Sequence, residues 1–154
     1  MNKKELTTFL LKARTKTYMG NGGKVKATLK DSYQLEHGQG KWLYRDVYWS
    51  GNGIFMGLEV IYYKNIAVWS MSYYGNFKKM KEDEIDSILR SALLKNWKTV
   101  RIWKKVEWKK GNYRYVCKPG FKGSINNMAG SEQIFKNKDI VYFFFYAGGL
   151  LKVL

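Results

Sequence analysis

Nucleophilic or metal chemistry would have to start from one cysteine and one histidine, Cys117 and His37. A histidine can activate a thiol by taking its proton, and a thiolate is favoured at a helix start or beside cations. No strained elbow or helix start follows Cys117, and its alternation with Tyr113 and Tyr115 is the pattern of a thiol turned toward a core. A lone cysteine cannot form an internal disulfide, and with one histidine it leaves too few ligands for the common zinc sites. The expectation is a protein with no catalytic residues, no metal and no cofactor. The glycine clusters are no better as phosphate cradles. A P-loop precedes a helix and carries Gly-Lys-Ser/Thr, whereas Gly20-Asn21-Gly22-Gly23 follows a helical pattern and suits its exit. Gly51-Asn52-Gly53 reads as a hairpin turn.

Acidic residues number 12 against 28 lysines and arginines. Four acids crowd the start of the second helical pattern, and Asp46, Glu59 and Glu107 fall within strand-like runs. Glu59 lies between Leu58 and Val60, so in a regular strand it faces away from both. A carboxylate in such a place can orient a ligand or act as an acid or base. It can equally pair with a cation such as Arg45, or meet water. With aromatic neighbours on the adjoining strand it defines the candidate ligand pocket: Glu59, Trp69 and Tyr73. A second candidate surface is the basic ribbon Arg101, Lys104, Lys105, Lys109, Lys110, Arg114, Lys118 and Lys122, which alternates with Trp103, Trp108, Tyr113, Tyr115 and Phe121. Cations interleaved with aromatics suit single-stranded nucleic acid. The same lysines also suit a solvated edge that resists aggregation.

The elements that must position these residues follow from periodicity. Leu6, Phe9, Leu10 and Ala13 recur at i, i+3, i+4 and i+7, which predicts a helix over 3–16. Ile85, Ile88, Leu89, Ala92 and Leu93 predict a second over 81–95, its acidic start and Lys95 matching the helix dipole. Strand patterns run over 33–36, 41–49, 54–63 and 66–74, then through Val100, Ile102, Val106 and Trp108, then over 113–117, 131–136 and 139–146. Short turns between them, among them Lys64-Asn65 and Asn137-Lys138, point to antiparallel pairing, since parallel neighbours need long crossovers. The predicted fold is α+β: a curved, mainly antiparallel sheet of about seven strands carrying two helices. No internal repeat, linker or low-complexity tract divides the chain, and 1–154 reads as a single domain.

A net charge of +16 at pH 7 favours anionic partners through counterion release. Five of the cations are arginine, the residue of bidentate phosphate recognition, and the rest are lysine, a hydrated point charge. That balance fits weak, sequence-independent nucleic-acid binding or a lysine-rich host composition. The longest apolar run, Ile140 to Ala147, is far short of the ~20 residues of a membrane span, and no signal-peptide pattern is present, so a cytoplasmic location is expected.

Several strings resemble a bacterial domain family of unknown function, found alone or appended to helix-turn-helix regulator-like proteins. They are Phe9-Leu10-Leu11-Lys12-Ala13, Thr17-Tyr18-Met19-Gly20-Asn21-Gly22, Phe55-Met56-Gly57-Leu58-Glu59-Val60, Val68-Trp69-Ser70-Met71-Ser72-Tyr73-Tyr74-Gly75, Gly111 to Cys117, and Gly130-Ser131-Glu132-Gln133-Ile134. The resemblance implies a sensory or accessory role beside a DNA-binding module and brings no catalytic residues. The chain carries no helix-turn-helix pattern of its own. A non-enzymatic accessory or small-ligand-binding domain is the leading expectation. A nucleic-acid-binding module is the alternative, and an enzyme using Glu59 with tyrosines stays open. The oligomeric state is unassigned.

Overall fold

A computed structural model describes residues 2–102, 104–120 and 124–152. Helix α1 (Lys3–Lys16) starts at Asn2, whose side chain accepts the Glu5 amide while Glu5 returns the bond to the Asn2 amide, a reciprocal cap. After it come strands β1 (Lys24–Val25), β2 (Tyr33–Gln39), β3 (Trp42–Gly51), β4 (Ile54–Tyr63) and β5 (Ile66–Asn76). Helix α2 (Glu82–Lys95) precedes β6 (Val106–Lys110), β7 (Tyr113–Pro119), β8 (Asn127–Lys136) and β9 (Asp139–Leu150). All neighbours pair antiparallel in one open sheet ordered β1-β2-β3-β4-β5-β9-β8-β7-β6.

The α+β class stands, but the sheet has nine strands, not about seven. β1 is two residues long, too short to leave a period-two signal. Val100 and Ile102 are buried in a turn ahead of β6, so their alternation with Val106 mimics a strand that begins only at Val106. Both helices lie on one face, where Leu6, Phe9 and Leu10 of α1 and Ile85, Ile88 and Leu89 of α2 join Tyr44, Ile61, Trp69, Tyr115, Ile134 and Tyr142 of the sheet in one apolar cluster.

The element order repeats, contrary to the expectation of no internal repeat. A 14-residue helix followed by a four-stranded meander occurs twice, as α1 with β2–β5 and as α2 with β6–β9. α1 packs over β2 and β3, and α2 over β6 and β7. Within the meanders the registers match. Gly57 opposes Tyr73 and Glu59 opposes Met71, as Gly130 opposes Tyr146 and Glu132 opposes Phe144. Both inner hairpins slip register at the same place, after Ile61 and after Ile134. The turns joining β2 to β3 and β6 to β7 each place a glycine, Gly40 and Gly111, at positive φ, 59° and 57°. The halves join through their last strands, where Tyr73 pairs with its own counterpart Tyr146. An approximate two-fold axis therefore passes between these tyrosines, as in an isologous dimer written into one chain.

Candidate functional site

Alternation along β3, β4 and β5 turns Tyr44, Asp46, Glu59 and Tyr73 to the helix-bearing face while Leu58 remains exposed. The short turn at Asn52-Gly53 sets Asp46 directly opposite Glu59, which brings two carboxylates side by side. Arg14, in the last turn of α1, comes down onto this pair. Its Nε and Nη2 donate to the same Glu59 oxygen at 3.0 and 2.7 Å, and all three charged residues are buried, at 2, 5 and 3% exposure for Arg14, Asp46 and Glu59. Glu59 thus pairs with Arg14 and not with Arg45, which bonds Glu36 instead.

These residues wall a cavity of about 120 Å³ between the sheet and the helices. Asp46, Glu59, Arg14 and Tyr44 form its buried floor, and exposed Ser50 and Glu82 mark its rim. Tyr73 Oη donates to Asp46 Oδ1 at 2.6 Å. Burial, then the neighbouring Glu59 charge, pushes the Asp46 carboxyl up to about 7, while the Tyr73 bond and the Arg101 and Arg14 charges oppose the rise. The Tyr73 hydroxyl is pushed well above its ordinary range by burial and by Asp46. Arg14 Nη1 is buried and has no hydrogen-bond partner. Leaving such a donor unmatched costs roughly 1–3 kcal/mol, more for a charged group. Beneath the lining, Arg14 and Arg90 thus each keep one buried nitrogen without a partner, Nη1 and Nε, while Asp46 is a carboxyl poised between its two protonation states.

Trp69, the third residue of the candidate pocket, does not line the cavity. It is fully buried, donates its indole N–H to the Ile125 carbonyl at 3.1 Å, and backs Arg14 with its ring. Sequence reasoning missed Arg14, and it named Asp46 without a role.

In the second half the counterparts are closed. Arg101 grips Glu132 with two bonds to different oxygens, Nε to Oε1 at 2.5 Å and Nη2 to Oε2 at 3.0 Å. Cys117 opposes Glu132 as Asp46 opposes Glu59, and its Sγ lies 3.8 Å from the Tyr146 hydroxyl. Burial raises the thiol to about 11, which keeps it protonated and inert at neutral pH. His37 on β2 and Cys117 on β7 are separated by five intervening strands, roughly 29 Å at ~4.8 Å per strand, so they form no pair.

The basic ribbon needs one correction. Arg101 is buried, bound to Glu132 and stacked over Phe144, so it leaves that surface. Lys104, Lys105, Lys109, Lys110 and Lys118 are exposed, and Arg114 lies over Phe135. Trp108 and Tyr113 pack against the core while Lys109 and Arg114, paired across the hairpin, take the opposite face. Strand alternation thus parts the aromatics from these cations. Lys122, Trp103 and Phe121 lie outside the described residues.

Among the described residues no group of three or more His, Cys, Asp or Glu is placed to hold a metal ion, and no helix is long and apolar enough to cross a membrane. A family model described as a domain of unknown function (DUF5680) matches residues 46–151, and the chain belongs to that family. No curated protein and no solved structure matches the chain.

Proposed function

We propose that this DUF5680 chain is a non-enzymatic small-ligand-binding domain whose ligand sits in the cavity over Asp46, Glu59 and Tyr73. The observation that carries the reading is the cavity itself, floored by two buried carboxylates set side by side, Asp46 and Glu59, with Asp46 bonded to no cation. Two adjacent buried carboxylates carry a desolvation and repulsion cost that a bound polar molecule would lessen. The resemblance to regulator-associated domains supports an accessory, sensory role in a bacterial cytoplasm, with occupancy of the cavity as the signal. Thermal-shift screening of small polar organic molecules, followed by calorimetry, tests this. Binding that weakens at least tenfold in Tyr73→Phe or Asp46→Asn supports it. A screen without a hit at millimolar concentration, or hits indifferent to both substitutions, overturns it.

A second reading, weak sequence-independent nucleic-acid binding, is favoured by the exposed Lys104, Lys105, Lys109, Lys110 and Lys118. Charge alone would carry it, with log affinity falling about 0.9 per phosphate contact for each log unit of salt on duplex. Reversing Lys104, Lys105 and Lys109 to Glu should then cost far more affinity than reversing Lys24, Lys26 and Lys30. Equal losses would remove the ribbon as a site.

A further inference from the structure

From the composition of its wall, we infer that the cavity takes a small organic cation, a protonated amine or quaternary ammonium that also carries an oxygen acceptor. This rests on the ligand-binding reading above and names the class of ligand. Although the chain has a net charge of +16, the wall carries four carboxylates, Asp46, Glu59, Glu82 and Asp86, and no lysine. Its three cations are arginines already held by carboxylates: Arg14 by Glu59, Arg90 by Asp86 and Arg101 by Glu132. Glu59 and Asp86 are thereby neutralised. Asp46, whose partner is the neutral Tyr73 hydroxyl, remains as a buried acceptor with no cation bonded to it.

Around that carboxyl the wall is aromatic, with Tyr44, Tyr48, Phe55, Tyr73 and Phe144. Ring faces attract ammonium groups, and the attraction grows when the site is desolvated. Burying an organic cation against a carboxylate and aromatic faces costs less than burying a small hydrated ion. The exposed Ser50 hydroxyl at the rim is a donor and calls for an acceptor. A hydroxyl or carbonyl oxygen a few bonds from the nitrogen would satisfy it. The cavity, at about 120 Å³, admits a molecule of several heavy atoms.

Binding should also be linked to the proton on Asp46. The groups facing it are Glu59 on β4, Tyr73 on β5, Tyr44 on β3, Arg14 on α1 and Arg101 after α2, with Glu82 and Asp86 of α2 across the cavity. Because Asp46 is pushed up to about 7, a cation binds best once the carboxyl has ionised. Affinity should rise between pH 6 and pH 8.

Choline and its uncharged isostere 3,3-dimethylbutan-1-ol, with acetate as an anionic control, decide the class by calorimetry on the full chain. Choline should bind at least about tenfold more tightly than the alcohol, and more tightly at pH 8 than at pH 6. Asp46→Asn should erase that preference and leave the alcohol within about twofold. The comparison in the unsubstituted protein does not depend on how the variant folds. Equal affinity for choline and the alcohol, or binding of acetate in preference to choline, overturns the cation class and leaves the ligand-binding reading standing. The cation class is also overturned if the screen's hits prove neutral or anionic. Failure of all three probes together with an empty screen overturns both.

Discussion

The two halves use the same constellation and end in different states. In the second half, Glu132 receives Arg101 through both oxygens and Cys117 fills the place beside it, so the cluster is sealed into the core. In the first half, Arg14 directs two bonds to one oxygen of Glu59 and a third to Met71 Sδ at 3.4 Å, and Asp46 stands where the thiol would be. Beside this arrangement lie a carboxyl with a raised pKa and the cavity it lines. One framework thus yields a closed ion pair where the arginine meets both oxygens of its acid beside a thiol, and a candidate site where it meets one oxygen beside a second carboxylate. A buried arginine–glutamate pair is common to both halves, so the pair alone does not single out the candidate site; the residue opposite the acid does.

The strongest way to break this comparison is to remove the acid from each half. Glu132→Ala strands a buried guanidinium and should cost about 3–5 kcal/mol in urea unfolding. Glu59→Ala should cost measurably less, because water entering the cavity can solvate Arg14. Equal costs would mean that the first half is as closed as the second.

Next comes the pH dependence attached to Asp46. Its folded pKa of about 7 lies above the reference value of 3.8, so between these values the folded state holds more protons than the unfolded one. Stability is therefore lost as pH rises through that window. Asp46→Asn removes the loss and should stabilise the protein by a few kcal/mol at pH 8 relative to pH 4, at about 1.4 kcal/mol per pKa unit. Melting curves at both pH values check this, and a variant whose gain is the same at both would remove the buried-carboxyl account. Cys117→Ser should show no such pH dependence.

The glycines sharpen the symmetry. A Cβ at Gly57 would lie 2.5 Å from the Val47 carbonyl and 2.6 Å from the Tyr73 hydroxyl. At Gly130 it would lie 2.7 Å from the Lys118 carbonyl and 2.5 Å from the Tyr146 hydroxyl. Alanine at either should cost about 1–3 kcal/mol by overpacking, and by like amounts. The smallest effect is expected at Tyr115, whose buried hydroxyl has no partner. Tyr115→Phe should leave the melting temperature unchanged or slightly higher.

Much of the framework was legible in the sequence because it obeys local rules. The stripe from Leu6 to Ala13 predicts α1 over the residues it occupies. Alternation around Glu59 turns it inward, and Asn52, Lys64, Asn65 and Asn137 sit at the positive φ their turns require. The Asp46–Glu59 pairing also had a signal, since a two-residue turn at Asn52-Gly53 fixes which residues oppose each other across β3 and β4. Arg14 had none. It lies at the edge of α1's apolar stripe, and its acid is on a strand remote in sequence. Arg101 was placed on the surface by its charge, because nothing local announces Glu132. The duplication hid for a related reason. Gly57, Glu59, Ile61, Val68, Tyr73 and Gly75 match Gly130, Glu132, Ile134, Val141, Tyr146 and Gly148 at one constant spacing. β3 and β7 match at another, because the halves differ in the lengths of their connections, so no single offset aligns the whole.

The join through the last strand of each half has a consequence for how the protein is made. β2 to β5 leave the ribosome first and can zip through tight turns within microseconds. The partner of β5 is β9, which follows only after α2, β6, β7 and β8. At ~5–20 residues per second, β5 waits for seconds as an open edge bearing Tyr73 and Tyr74. During that interval a neighbouring nascent chain offers the same edge, so synthesis on crowded messages should favour exchange of halves between chains unless the β5 edge is shielded.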